Sequence, residues 1–369
     1  MVKFAVVFGT RPEAIKMAPV VLAMRENPKW EVRVICTGQH REMLDQALEV
    51  FQIVPDYNLG IMTHGQTLEE ITTRVLQGVG EILRSWRPDL VLVHGDTTTA
   101  FAAALAAFYE RIPIAHVEAG LRTEELGNPF PEEANRRLTD VLADIHFAPT
   151  EQAAENVRRE VRGSKEVYIT GNTVIDALLE VVQDDYAFRV PILAGLDFSR
   201  PVIVVTVHRR ENWGTPLVGI CEALRRIAAS HYCQIVVAMH RNPRLQAVLR
   251  VELSGIEHIH LIEAPDYREF ANLMRRSKLL LTDSGGLQEE APALHVPVLV
   301  LREHTERPEG VAAGTCRVVG TDPERIYASV AELLTNTDVY MAMAQAPNPY
   351  GDGRAARRIC GILEQKYTV

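Results

Sequence analysis

Residues 3–16, Lys3-Phe4-Ala5-Val6-Val7-Phe8-Gly9-Thr10-Arg11-Pro12-Glu13-Ala14-Ile15-Lys16, decide the fold. An apolar run ends at a glycine turn, and a proline suited to a first helical turn follows at once. Such a strand-turn-helix opens a parallel strand-helix-strand unit, and short β-branched runs alternate with helical patterns along the rest of the chain. One series reads Lys3–Phe8, Glu31–Cys36, Leu90–Val93, Ile114–Val117, Ile145–Ala148 and Val167–Thr170. A second reads Val202–Val207, Gln234–Ala238, His258–Ile262, Leu279–Thr282, Val298–Leu301 and Arg317–Val319. The expected fold is therefore α/β, with two doubly wound domains. The boundary is expected near Gly171, where the first sheet's last strand ends, giving residues 1–170 and 171–353. An amphipathic helix from Arg354, with Ala356, Ile359, Cys360 and Leu363 on one side, is expected to carry residues 354–369 back onto the first domain.

Composition supports two domains of ordinary size: 369 residues, 47% hydrophobic and 24% charged. A formal net charge of -9 argues against a general nucleic-acid binder, whose phosphate contacts need a basic face. An anionic ligand must then find arginines and lysines of its own. No apolar run is long enough to span a bilayer, and Met1 leads straight into the first strand without a secretory pattern. The five cysteines are odd in number, scattered, and form no C-x-x-C pair, so reduced thiols in a cytoplasmic protein are expected.

Ligands of open parallel sheets bind beyond the carboxyl ends of the strands. After the first strand, Arg11 and Lys16 flank a helix start whose N–H groups suit a phosphate, although an ordinary turn with two surface cations reads equally well. G-x-x-x-x-G-K-[ST] is absent, as is a G-x-G-x-x-G after the first strand, so no dinucleotide cofactor is expected. Gly78 and Gly80 fall inside a helical pattern as packing contacts.

The third and fourth strands end in His94-Gly95-Asp96-Thr97-Thr98-Thr99 and His116-Val117-Glu118-Ala119-Gly120-Leu121-Arg122. Asp96 and Glu118 are either site carboxylates or, respectively, a helix cap and a salt-bridge partner of Arg122. In Pro131-Glu132-Glu133-Ala134-Asn135-Arg136, Glu132 and Arg136 stand four apart, as a surface ion pair or a site pair. In the second half, His208 follows the first strand and His240 the second, each at a site or satisfied by neighbouring backbone. Thr282-Asp283-Ser284-Gly285-Gly286-Leu287-Gln288-Glu289-Glu290 is the sharpest feature. Its paired glycines let a diphosphate approach the backbone at a helix start, Ser284 adds a hydroxyl, and Glu290 suits two ribose hydroxyls. Arg307 is a further cation at a strand end.

In order along the chain, FGTRPEAIKMAP, QHREMLDQ, VHGDTTT, HVEAGLRT, PFPEEANR, ITGNTVIDAL, HRREN, LTDSGGLQEEAP, TERPEG and NPYGDGRA resemble the non-hydrolysing UDP-N-acetylglucosamine 2-epimerases. The resemblance covers essentially the whole chain. It implies a glycosyltransferase-B-like pair of Rossmann-like domains facing a cleft, and a homodimer. It implies that Arg11, Lys16, His208, Ser284, Gly285, Gly286 and Arg307 hold UDP's phosphates or the sugar, Glu290 the ribose, and the segment from Pro265 to Phe270 the uracil. Asp96, Glu118 and Glu132 match the family's catalytic carboxylates, with Arg136 beside them and His208 sharing proton transfer. A second, activating UDP-N-acetylglucosamine site would involve Gln39, Gln66, Arg209 and His240. Departures from the family pattern include Glu42, Gly65, His295 where glycine is usual, and Glu303-His304 where Asp-Thr is usual.

The implied reaction inverts C2 of UDP-N-acetylglucosamine to give UDP-N-acetylmannosamine, a precursor of cell-surface polysaccharide. The C2 proton is not next to a carbonyl, so a base is expected to remove it as UDP leaves C1, giving 2-acetamidoglucal, with readdition from the other face. No paired Asp-x-Asp motif is present and the arginines can meet the diphosphate's charge, so no metal is expected.

Overall fold

A computed structural model of the chain describes all residues except 39–40, 64, 124, 164, 231 and 368–369, and all but the side chains of 41–43. Strands β1 (Val2–Phe8), β2 (Trp30–Cys36), β3 (Tyr57–Asn58), β4 (Leu90–His94), β5 (Ile114–Val117), β6 (Ile145–Ala148) and β7 (Glu166–Ile169) form one parallel sheet. Their order is β3-β2-β1-β4-β5-β6-β7. Strands β8 (Val202–Thr206), β9 (Gln234–Met239), β10 (Ile259–Glu263), β11 (Leu279–Thr282), β12 (Val298–Val300) and β13 (Cys316–Val318) form a second, ordered β10-β9-β8-β11-β12-β13. In each sheet the winding reverses beside the first strand, between β1 and β4 and between β8 and β11. Successive loops part there, which opens a crevice at the strands' carboxyl ends.

Alternation along the strands explains how the first sheet is covered on both faces. Ala5, Val7, Ile35, Val91 and Val93 share a buried cluster with Ile71, Val75, Val79 and Leu83 of the helix Leu68–Trp86 and with the alanines of the helix Thr98–Tyr109. Phe4, on the opposite face, meets Trp30 and Tyr367 edge-on, with ring centroids 4.9 and 5.5 Å away. Tyr367 closes the helix Ala355–Tyr367, so the C-terminal helix packs on the first sheet. Gly78 is a packing residue: a Cβ there would stand 2.9 Å from the Leu59 side chain. The second core gathers Ile203, Val205, Ile235, Val237, Leu279 and Leu281 under Leu217, Ile220, Leu224 and Ile227 of the helix Thr215–Ser230.

The chain forms two compact units, residues 1–180 with 350–369, and residues 181–349. This differs from the boundary expected at 170/171, and the reason is local. The Asp176 carboxylate accepts from the backbone N–H groups of Ala355 and Ala356 (3.1 and 2.9 Å), and Asn172 N–H donates to Tyr350 O at 2.7 Å. The helix Thr173–Val181 thereby caps the returning C-terminal helix and stays with the first sheet. The edge strand β3, two residues long, carries too short a pattern to read from sequence. His295 adopts φ +61°, the left-handed turn for which glycine is the usual residue, and its Nδ1 lies 3.0 Å from Ala344 O. The cysteines are free, four of them buried, and among the described residues no helix is long and apolar enough to cross a membrane.

Candidate active site

The carboxyl ends of β1, β4 and β5 bring the first set of expected residues together. Arg11 opens the helix Arg11–Arg25, but the N–H groups of the preceding turn are not open to an anion. Gly9 N–H and Thr10 N–H donate to Glu13 Oε2 at 3.1 and 2.8 Å, and Thr97 Oγ1 donates to Glu13 Oε1 at 2.7 Å. Glu13 thus ties the β1 turn to the β4 turn. The charge of Lys16 is likewise met: its Nζ lies 2.5 Å from Glu118 Oε2.

Glu118 follows β5 at φ +64°, a left-handed conformation that a non-glycine residue holds only when its surroundings fix it. Those surroundings are Lys16, Asn172 Nδ2 at 2.8 Å, and Gly120 two residues on. A Cβ at Gly120 would stand 2.0 Å from Ala153 O, so the chain passes there without a side chain. Arg122 does not reach Glu118; it pairs with Asp140 and Glu160, each at 2.7 Å. The salt-bridge alternative for Glu118 therefore falls away.

Asp96 is not a helix cap, since Thr97 takes that role by accepting from Ala100 N–H. Its Oδ2 instead accepts from Arg136, one turn into the helix Glu132–Leu142, which Glu132 opens half-buried. Arg136 also reaches buried Glu133 at 3.2 Å, so the expected Glu132–Arg136 pair is replaced by Arg136 bound to Asp96 and Glu133. A Cβ on Gly95 would lie 3.6 Å from Glu118 Oε1, which places the Glu118 carboxylate against the residue preceding Asp96.

Three residues not singled out from sequence complete this unit's polar layer. His94 is buried, its Nε2 lies 3.8 Å from Glu118 Oε2, and among the described residues that nitrogen has no hydrogen-bond partner. His116 Nδ1 meets Asp140 Oδ1 at 2.6 Å. Burial alone would raise the Asp140 carboxyl, but the hydrogen bond and charge of His116, with Arg122 behind it, hold it down at about 2. The signal available in sequence was a histidine inside each of two otherwise apolar strands.

The second unit presents cations instead. Arg209 Nη2 and the Arg307 guanidinium carbon would each stand 3.9 Å from a Cβ on Gly285, while a Cβ on Gly286 would meet nothing within 4 Å. Ser284, Gly285 and Gly286 thus start the helix Gly285–Glu290 between two guanidinium groups, with open space on one side. Buried Glu290 ends that helix. Arg307 Nε donates to Glu289, while Glu306 lies 3.7 Å from Arg209 and 3.5 Å from buried Arg302. Arg302 was not singled out from sequence.

His208 is oriented by Asp283, whose Oδ1 is 2.8 Å from Nδ1. Asp283 also accepts from the N–H groups of His208 and Arg209 and from Asn212 Nδ2. Burial would raise its carboxyl; the His208 hydrogen bond and charge, with these N–H groups, keep it below the ordinary range. His240 stacks on His208 with ring centroids 5.9 Å apart. Pro265 and Phe270 are half-buried around the start of the helix Tyr267–Arg275. Gln66 Oε1 accepts from Thr63 N–H at 3.1 Å in the first unit, and Gln39 lies outside the described residues.

The family model for UDP-N-acetylglucosamine 2-epimerase matches residues 22–364. The chain belongs to this family. The 2-epimerase of Salmonella typhimurium is 51% identical to it over 98% of each chain. The crystal structure of the Neisseria meningitidis UDP-GlcNAc 2-epimerase bound to UDP-GlcNAc superposes with a TM-score of 0.87 at 46% identity, covering 98% of this chain and 100% of that one. Like these epimerases, the chain is an isomerase. A glycotransferase of kitacinnamycin shares the fold at 13% identity, with a TM-score of 0.65 over 99% of this chain and 98% of its own, which makes the architecture glycosyltransferase-B-like.

The buried histidine gives this epimerase a pH signature. Burial lowers His94 from 6.5 to about 4, so the folded chain keeps it neutral while an unfolded chain takes up a proton near pH 6.5. The resulting stability is complete above pH 6.5 and is lost as pH falls toward 4; the shift corresponds to roughly 3 kcal/mol. His94→Gln, neutral throughout, should flatten the urea-unfolding stability curve across that window. A variant curve as steep as the parent's would discard this origin.

Proposed function

We propose that the chain interconverts UDP-N-acetylglucosamine and UDP-N-acetylmannosamine by eliminating and readding UDP through 2-acetamidoglucal. One carboxylate takes the C2 proton while the C1–O bond breaks, its electron pair leaving with UDP and a C1=C2 double bond forming. In the return step UDP adds to C1 and a second acid protonates C2 from the opposite face. The observation that carries this reading is the cluster in which Lys16 holds Glu118 and Arg136 holds Asp96, next to Glu132. Carboxylates held by neighbouring cations stand in fixed positions from which a proton can be taken and returned. Arg209 and Arg307 on either side of Gly285 suit the diphosphate, and His208, fixed by Asp283, suits a proton transfer to it. The UDP-GlcNAc held by the Neisseria meningitidis epimerase supports the choice of nucleotide sugar.

The reaction is assigned to the cytoplasm, where it supplies cell-surface polysaccharide precursor. The enzyme is assigned as a homodimer, for which exposed Phe108, Tyr109, Leu138 and Val141 in the first unit offer an apolar face. A second UDP-N-acetylglucosamine acts as activator through Gln66, Arg209 and His240.

Incubated with UDP-N-acetylglucosamine in deuterated water, the protein should yield both epimers carrying deuterium at C2, read by proton NMR. Asp96→Asn and Glu118→Gln should cut turnover and exchange by about a hundredfold or more while UDP still binds; product without label, or full activity in either variant, rejects the scheme. Sedimentation should give a dimer that Leu138→Asp/Val141→Asp converts to monomer, and a monomeric parent would refute the dimer. Initial rates should rise sigmoidally with UDP-N-acetylglucosamine, and a hyperbola unchanged by His240→Ala would dismiss the activator.

A further inference from the structure

The turn that carries Asp96 is held from beneath as well as from its carboxylate. Gly95, at φ +64°, gives its N–H to Val117 O at 2.9 Å, and its carbonyl faces His116 Nε2 at 2.7 Å. The carbonyl of Asp96 itself accepts from Asn135 Nδ2 at 3.0 Å. Both peptide carbonyls flanking the Asp96 side chain are therefore pinned by side chains. The His116 clamp is buried and continues to a single carboxylate: Nδ1 meets Asp140 Oδ1 at 2.6 Å, and Asp140 Oδ2 accepts from Arg122 at 2.7 Å. The ring is thus held at both nitrogens, by the Gly95 carbonyl on one side and the Asp140 carboxylate on the other. His146 Nε2 fixes the same turn of helix by meeting Asp140 O at 2.8 Å.

Asp140 lies on the helix Glu132–Leu142, which also carries Glu132, Asn135 and Arg136. One helix thus opens with a candidate acid and grips Asp96 three ways: by Arg136 at the carboxylate, by Asn135 at its carbonyl, and by Asp140 through His116 at the carbonyl before it. Each contact alone leaves the turn a rotation free. Together they fix where the Asp96 carboxylate stands relative to the helix that bears Glu132.

We propose that His116 and Asp140 are positioning residues that set Asp96 for proton transfer through the Gly95 carbonyl. This rests on the role given to Asp96 above and adds residues that touch no reacting atom. Misplacing an acid by even an ångström costs turnover without loosening the nucleotide, since UDP contacts lie elsewhere.

The test compares two replacements in the full chain, after the parent's epimerisation of UDP-N-acetylglucosamine has been measured. An inactive parent defeats the functional reading; an active parent isolates the pair. His116→Gln keeps a donor near the Nε2 position and so the bond to Gly95, whereas His116→Asn keeps only a donor near Nδ1. His116→Asn should lower kcat by about tenfold to a hundredfold, and C2 deuterium exchange in step, with KM and UDP affinity within about twofold. His116→Gln, which keeps the Gly95 bond but loses Asp140, should recover kcat to within severalfold of the parent, as Arg122→Lys does, although its melting temperature falls as far as that of His116→Asn. Arg122→Lys, which loosens Asp140 from the rim and guards against a variant that does not fold, should lower kcat severalfold at unchanged KM. A wild-type kcat in His116→Asn or Arg122→Lys, equal losses in His116→Gln and His116→Asn, or a loss confined to KM overturns the proposal.

Discussion

An ionised carboxylate at the end of a buried strand costs several kcal/mol of lost hydration unless a cation reaches it, and the first unit is organised around supplying those cations. Lys16 comes to Glu118 from 102 positions away in sequence, and Arg136 comes to Asp96 from 40. Both ride on helices that follow other strands, so the doubly wound topology itself delivers the counter-charge. Removing one partner of such a pair leaves the other charge buried and alone, at a cost of about 3–5 kcal/mol. That exceeds the strain of a left-handed Glu118, of order 1–3 kcal/mol, which is why the strained conformation persists.

The second unit inverts this arrangement. Arg209, Arg302 and Arg307 gather around Gly285 and the loop after β12, and Glu211, Glu289 and Glu306 share their charge. Glu306 is half-exposed and sits 3.5 and 3.7 Å from its two arginines, longer than a direct hydrogen bond. Such loose pairing lets a diphosphate compete for the same guanidinium groups, because it offers more charge and bidentate geometry. Asp283 differs: buried and held by three donors, the backbone N–H groups of His208 and Arg209 and Asn212 Nδ2, it is a fixture that orients His208 rather than a placeholder.

How far the sequence reveals this follows from the range of the interactions. The strands of both series were legible because parallel strands buried on both faces are nearly continuous apolar runs, and only β3, two residues long, escaped. The placement of Asp96, Glu118, Ser284 and Gly285 just beyond strand ends was legible because each closely follows an apolar run. Their partners were not. That Glu13 would occupy the N–H groups of its own turn, that Arg136 would leave Glu132 for Asp96, and that Asp176 would tie residues 171–180 to the C-terminal helix all depend on side-chain direction and on contacts distant in sequence. Local pattern carries no record of these.

His94 and His116 show the same limit from the other side. Each interrupts a strand that is otherwise apolar, and an imidazole in such a place must be satisfied, neutral or paired. The two solutions differ. His116 finds acceptors at both nitrogens, one of them a buried carboxylate, so its ring is fixed in place. His94 has no partner for Nε2 among the described residues, so burial drives it neutral beside the acid it faces. Neutrality there keeps a second fixed positive charge away from Glu118, which Lys16 and Asn172 already hold. A base that must take a proton and return it works best when it is not over-stabilised in either form. Two histidines on adjacent strands, one clamped between acceptors and one buried beside Glu118, thus shape the surroundings of the two carboxylates in different ways.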